Sequence, residues 1–140
     1  MSAPDRPTTD ADSESWWAAV QDRTLMVNAC ASCGRNSLYA RPFCPYCWSE
    51  DVALAPSGGR ARLYTWSVVH QNTAPFDTRT PYVVAMVDLE EGPRLMTIVE
   101  NCPIENLHAD LELEIDFRED DGFVVPVFRP AARSIGKEPR

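Results

Sequence analysis

CASCGRNSLYARPFCPYCWSE, residues 30–50, holds four of the chain's five cysteines as two Cys-x-x-Cys pairs separated by ten residues. Zinc takes four tetrahedral ligands, and thiolates at i and i+3 of a tight knuckle both reach one ion. Cys30 with Cys33 and Cys44 with Cys47 therefore complete one coordination sphere for zinc, or for iron in a heterologous host. Gly34 supplies backbone freedom where the first knuckle turns back, and Pro45 is readily placed inside the second. Trp48 stands where a glycine is expected, which predicts either a distorted second knuckle or a packed indole. Four protein ligands leave no position for water or substrate, so the predicted metal is structural and the thiols fold a ribbon too small to fold alone. The fifth cysteine, Cys102, lies beside Pro103 with no His or Cys close in sequence and reads as a bystander.

At 140 residues and 44% hydrophobic, the chain fits one ordinary domain with appendages and needs no disulfide framework. It has no run of eighteen apolar residues, and MSAPDRPTTDADSES is acidic and polar where a secretory signal is basic and then apolar. These features predict a cytoplasmic protein without membrane association, where clustered cysteines read as metal ligands. The net charge of −8 is uneven: residues 29–62 carry four Arg against two acids, whereas 63–126 carry three Arg against thirteen. A nucleic-acid binder normally presents a broad cationic surface, and this chain offers a small basic ribbon and a basic tail.

Residues 1–12 read as a solvated tail. A helix is predicted within 13–24, capped by Asp12 or Ser13, with Trp16, Trp17 and Val20 on one face. Residues 25–56 form the metal ribbon, with short strands at 25–29 and 37–43. After the PSGG turn, 57–130 reads as a barrel with strands at 60–70, 81–89, 93–100, 111–119 and 123–130. In the first, Leu63, Thr65, Ser67 and Val69 alternate with Tyr64, Trp66, Val68 and His70. In the fourth, Leu111, Leu113, Ile115 and Phe117 face one way. Pro126 suggests an edge or bulge in the last. Five strands with a short connection at 101–110 is the layout of an OB fold, giving a mainly β chain of helix, four-Cys rubredoxin-like ribbon and five-stranded barrel. Residues 131–140 are read as a second tail.

The ordered motifs SWW (15–17), CASCG (30–34), RPFCPYC (41–47), SGGRARLYTWSVVH (57–70), PYVVAMVDLEEG (81–92) and VPVFRP (125–130) resemble the family catalogued as domain of unknown function 35. The resemblance spans about residues 13–130. It implies an acyl-CoA-associated OB-fold protein with a rubredoxin-like zinc ribbon, working beside a thiolase-fold enzyme that carries the chemistry. Such partners include acetoacetyl-CoA thiolase, hydroxymethylglutaryl-CoA synthase, C-acyltransferases and the aldolases that shorten steroid side chains held as CoA thioesters. Twelve Arg against one Lys suit a high-GC bacterium and lean toward the steroid case. A two-plus-two complex follows if the partner is dimeric, with acyl-CoA as a candidate ligand.

Three function classes are thus in play. Catalysis by this chain alone lacks a poised constellation: His70 and His108 are far apart, and no nucleophile motif or Gly-rich phosphate loop is present. His70 enters the loop 70–81 on the side where OB folds bind ligands, whereas Asp77, Asp88, Glu90 and Glu91 read as a solvated rim. A single-stranded nucleic-acid module would use Tyr64 and Trp66 for stacking and Arg60 and Arg62 for phosphates, against the repulsion of an acidic barrel. An accessory subunit re-reads these groups: Arg35, Arg41, Arg60 and Arg62 toward CoA phosphates, and Trp16, Trp17, Tyr64, Trp66 and Phe76 toward a partner, with Arg129 and the tail in either role. The accessory subunit, silent alone, is the expected class.

Overall fold

The alternation in RARLYTWSVVH breaks once, and the break shapes the barrel wall. In the computed structural model, which describes residues 7–74 and 76–131, strand β4 (Arg60–Val69) pairs with β5 (Tyr82–Leu89), and the register shifts between Leu63 and Thr65. The shift is a β-bulge, where one extra residue is spent without a partner and the facing changes phase. Ala61 and Leu63 are buried before it, and Trp66 and Val68 pack on the core after it, while Tyr64, Thr65 and Ser67 are exposed. This corrects the expectation of unbroken alternation: Leu63 and Trp66 share the inner face.

The barrel closes in the order β4-β5-β6-β8-β7, with β6 at Arg94–Val99, β7 at Glu112–Asp120 and β8 at Phe123–Pro130. β5 and β6 form the hairpin expected around the EEGP turn. Val83, Ala85 and Val87 face Val99, Thr97 and Leu95 across it, and with Leu113, Val124 and Phe128 they build the core. β7 and β8 pair without a break past Pro126, and β8 meets β6 in parallel only at Val99 and Phe128. Pro126 thus makes no bulge against β7, but its strand lies at the barrel's narrowest seam. The 101–110 connection holds one 3-10 turn, Ile104–Asn106.

The ribbon is a three-stranded sheet ordered β2-β1-β3, with β1 at Met26–Cys30, β2 at Asn36–Ser37 and β3 at Val52–Pro56. β1 falls where the sequence places a strand. The expected strand at 37–43 does not form beyond Ser37, because the chain leaves the sheet to enter the second knuckle. β3 was not legible: VALAP has no polar residue to alternate with its apolar ones and ends in proline, yet it pairs with β1 along five positions.

The helix α1, Glu14–Gln21, straps ribbon to barrel. Its first turn is not capped by Asp12 or Ser13 as expected. Asp10 Oδ1 instead accepts from the Ser13 amide at 2.9 Å, the Asp12 amide at 3.0 Å and the Ser13 hydroxyl at 3.0 Å, and these Ser13 bonds hold the Asp10 carboxyl below its usual range. Trp16 and Val20 are buried, and the Trp16 indole donates to the Met26 carbonyl of β1 at 2.9 Å. Trp17 lies against Phe123, while Gln21 bonds both amide and carbonyl of Val124 in β8 at 3.0 Å.

A second tie lies at the ribbon-to-barrel linker. Glu91 accepts from the Ser57 hydroxyl and the Gly58 amide at 2.8 Å each, and its own carbonyl accepts from Asn36 Nδ2 at 3.1 Å. Glu91 therefore is not part of a solvated rim: it holds the β5–β6 turn to the linker. Gly59 follows at φ +79°, its carbonyl accepting from the Ile115 amide at 2.7 Å, and a Cβ there would sit 2.3 Å from Ile115 Cγ2. Gly59→Ala is expected to cost about 2–4 kcal/mol, from left-handed strain and overpacking together. Gly34→Ala, at the same φ with nothing within 4 Å of the added Cβ, is expected to cost about 1–2 kcal/mol. Urea denaturation of the two variants measures the difference; equal losses would contradict the close approach at Ile115.

Candidate functional site

The two Cys-x-x-Cys segments fold into matched knuckles. In the first, the Cys30 amide donates to the Arg35 carbonyl (3.0 Å), the Gly34 amide to the Cys30 carbonyl (2.9 Å) and the Cys33 amide to Cys30 Sγ (3.4 Å). In the second, the Cys44 amide donates to the Ser49 carbonyl (2.8 Å), the Trp48 amide to the Cys44 carbonyl (2.8 Å) and the Tyr46 amide to Cys44 Sγ (3.4 Å). Gly34 has φ +79° and Trp48, at the equivalent place, φ +67°. The second knuckle is therefore not distorted by Trp48. The tryptophan adopts the left-handed conformation itself, at a cost of about 1–2 kcal/mol relative to glycine. Nor is its indole packed inside: Trp48 is 71% exposed and stacks on Phe43 at 5.1 Å.

The knuckles bring four sulfurs within 4.8 Å of one another, with Cys30 to Cys47 at 3.6 Å and Cys33 to Cys44 at 3.7 Å. A tetrahedron of metal–sulfur bonds of ~2.3 Å has edges of ~3.8 Å, so the donor set fits zinc. The thiols also titrate unequally. The Cys33 amide leads in lowering Cys30, to about 7; for Cys44, burial opposes ionisation, but the amides of Cys47 and Tyr46 outweigh it. The Ser49 amide favours ionised Cys47, yet burial and the three neighbouring sulfurs together push that thiol up to about 12. Four thiolates this close repel one another unless a cation sits among them. Cys30, Cys33, Cys44 and Cys47 would hold a zinc ion in a closed site, where it cross-links the knuckles and offers no open position for chemistry.

The remaining candidates separate. Trp16 is 5% exposed and belongs to the core, which removes it from any partner-facing surface; Trp17 and Trp66 are half-buried. Arg129 pairs with Glu114 at 2.8 Å and lies 3.5 Å from Asp116. Arg60 and Arg62 line a groove of about 360 Å³ shared with Asp88, Glu90 and Glu112, whose carboxylates would oppose a phosphate there. Tyr64 is 53% exposed beneath the Arg94 guanidinium, 3.5 Å from its ring, and Arg94 is held by Asp88 at 2.6 Å. Arg41 turns back on the Tyr39 and Leu38 carbonyls, and Arg35 stands over the Tyr46 ring at 4.9 Å. Residues 132–140 of the tail lie outside the described residues.

His70 is exposed just beyond β4, and His108 Nδ1 lies 3.0 Å from the neighbouring Ala109 carbonyl. A cavity of about 440 Å³ near the 70–81 loop is lined by Phe76, Arg79, Tyr82, Ile98, Cys102 and Arg118, among others. Its cations are matched within the chain, Arg79 by Asp120 at 3.1 Å and Arg118 by Glu100 and Asp120. Burial, and then Glu105, raise the Cys102 thiol, the direction opposite to an activated nucleophile. Sequence reasoning missed the Arg94–Tyr64–Asp88 group. The Asp88–Arg94 pair was detectable in principle from the hairpin register, which sets the two residues directly opposite each other.

Cys44→Ser, at a buried ligand, is expected to abolish binding of about one zinc per chain, whereas Cys102→Ser retains it. Metal analysis of the purified variants reads this out. Retention of zinc by Cys44→Ser would contradict the four-sulfur assignment.

The models for the zinc ribbon and for the OB fold of one family match in succession: the ChsH2 rubredoxin-like zinc ribbon domain at residues 17–53 and the ChsH2 C-terminal OB-fold domain at 55–118. A DUF35 domain-containing scaffold protein of Methanocaldococcus jannaschii is 30% identical over 118 residues, covering 77% of this chain and 82% of the relative. A probable enoyl-CoA hydratase alpha subunit of Thermomonospora curvata is 33% identical over 90% of this chain, which spans 40% of that protein's length. The benzoylsuccinyl-CoA thiolase subunit BbsA of Thauera aromatica is 30% identical over 61% of this chain and 58% of its own. Among solved structures, a chain of the Ltp2-ChsH2(DUF35) aldolase superposes with a TM-score of 0.82 at 33% identity, covering 91% of this chain and all of that one. The chain belongs to the DUF35 family of zinc-ribbon and OB-fold proteins.

Proposed function

We propose that this chain is a non-catalytic accessory subunit that binds and stabilises a thiolase-fold enzyme acting on acyl-CoA thioesters. The observation that carries the reading is the full-length likeness to the DUF35 chain of an aldolase, supported by the thiolase subunit among the relatives. The architecture suits the role. Its metal site is closed, its cavity arginines are neutralised by carboxylates, and Cys102 is held away from its thiolate. Its partner therefore supplies the acid and base groups.

Within this reading, the partner is a retro-aldolase of steroid side-chain degradation, and the complex is cytoplasmic with two copies of each subunit. Its substrate is a β-hydroxyacyl-CoA. The β-hydroxyl loses its proton, the bond between the α and β carbons breaks, and a carbonyl forms at the former β carbon. The electron pair passes to the thioester enolate, which is reprotonated at carbon. A second reading, an acyl-CoA-binding subunit of a thiolase, synthase or acyltransferase, is favoured by the BbsA relative. A nucleic-acid module is disfavoured by thirteen acids against three arginines across residues 63–126.

Affinity-tagged chain recovered from its native host at moderate salt is expected to bring down a thiolase-fold enzyme in stoichiometric amount. The pair, but neither subunit alone, is expected to cleave a β-hydroxyacyl-CoA. Recovery of a bare monomer would overturn the accessory-subunit reading, and thiolysis without aldol cleavage would replace the first reading with the second.

A further inference from the structure

The cavity where β5 begins and β6 ends joins an apolar wall to a charge network that is already complete. Its volume of about 440 Å³ has room for roughly fifteen waters at ~30 Å³ each, within the range of small-molecule sites. Phe76 enters from the 3-10 turn Phe76–Arg79 and Ile104 from the turn Ile104–Asn106, the two side chains 38% and 45% exposed. Pro81, Val83, Ile98 and Val99 complete the apolar lining. The apolar surface continues along the outside of the hairpin, where Val84 stands opposite Ile98 and Met86 opposite Met96. Outward positions of a strand that faces water are ordinarily polar.

The charges at the cavity sum to zero. Arg79 pairs with Asp120, and Arg118 with both Asp120 and Glu100, so two guanidiniums meet two carboxylates at partly buried side chains. The other polar groups of the lining are uncharged: the Tyr82 hydroxyl, the Asn101 carboxamide and the Cys102 thiol, which burial and then Glu105 hold toward its protonated form. An anion entering here meets Glu100 and Asp120 along with the arginines, and a cation meets the arginines along with the acids. Either gives up its hydration for little net attraction. A neutral molecule leaves the network undisturbed and gains by burying apolar surface.

We propose that this cavity is a binding site for an uncharged, largely apolar small molecule that carries a hydroxyl or keto oxygen. Its body lies against Phe76, Ile98 and Ile104, and its oxygen meets Tyr82 or Asn101. Asn72 Nδ2 donates to the Tyr82 hydroxyl, so the phenolic proton is the group that Tyr82 offers to the ligand. The site belongs to this chain and goes beyond the accessory-subunit reading: it stands whether or not an enzyme copurifies.

Amide spectra of the zinc-loaded, isotope-labelled full chain are recorded during titration with octanol, octanoate and octylammonium, which share one apolar body and differ in charge. Octanol is expected to shift the amides of Val83, Ile98, Asn101 and Cys102 saturably and to bind about tenfold more tightly than either ion. Phe76→Ser with Ile104→Ser, at exposed side chains outside the barrel core, is expected to weaken octanol about tenfold while zinc content and melting temperature stay unchanged. Glu100→Gln leaves one guanidinium charge unmatched and is expected to strengthen octanoate binding alone. Equal affinity for octanol and octanoate, wild-type octanol binding in the double variant, or unchanged octanoate binding in Glu100→Gln overturns the assignment. So does octanol that shifts none of these amides; if they are covered only on adding a copurifying enzyme, the cavity receives a side chain of that protein instead.

Discussion

Convergence of four cysteine sulfurs within 4.8 Å is the constraint on which the N-terminal half depends. The ribbon strands span residues 26–56, and among them Val27, Cys30 and Cys44 are the buried apolar side chains. Burying an aliphatic side chain such as Val27 contributes about 1.5–3 kcal/mol, whereas ordering each backbone residue costs about 1–2 kcal/mol. A three-stranded sheet with a two-residue edge strand does not offset that ordering by packing. Metal binding in small zinc domains is worth on the order of 10 kcal/mol, which is the missing contribution. The barrel faces no such deficit, since residues from all five of its strands meet in one core around Phe128.

Two polar ties then fix the ribbon against the barrel. α1 bonds to β1 through Trp16 and to β8 through Gln21, while Glu91 reaches from the β5–β6 turn to Ser57, Gly58 and Asn36. Because these ties hold residues next to the knuckles, a metal that orders the ribbon also presents its tip at a defined place on the molecule. The tip carries the exposed aromatics Tyr39, Tyr46 and Trp48, and its two arginines, Arg35 and Arg41, are matched in number by Glu50 and Asp51. Exposed aromatics there have a cost in water and, at Trp48, in backbone strain. Such costs persist where the surrounding structure or a partner compensates them.

Much of this was legible in the sequence, for physical reasons. Cysteine spacing reports a coordination sphere directly, and the alternation of LELEIDFRE reports a half-buried strand, so the ribbon and the five barrel strands could be placed. What stayed hidden depended on tertiary geometry. Strand pairing along VALAP follows from its fit beside β1, not from any pattern of its own, and the bulge at Tyr64 is a single-residue phase change that a period-two reading smooths over. Helix capping fell to Asp10, two residues before the first position that pattern reading favoured. Trp16 and Trp17 look equivalent in sequence, and only the packing of α1 against β1 and β8 buries the first while leaving the second half-open. Glu91 looked like one more acid in an acidic chain, because its partners are a backbone amide and a hydroxyl more than thirty residues away in sequence.

The central claim, that a metal orders the ribbon while the barrel stands on its own packing, is tested most directly by hydrogen–deuterium exchange of the intact chain before and after zinc removal by a chelator. The account requires residues 26–56 to lose their protection on metal removal while the amides of β4 to β8 keep theirs. Unchanged protection in the ribbon, or loss of protection through the whole barrel, would contradict it.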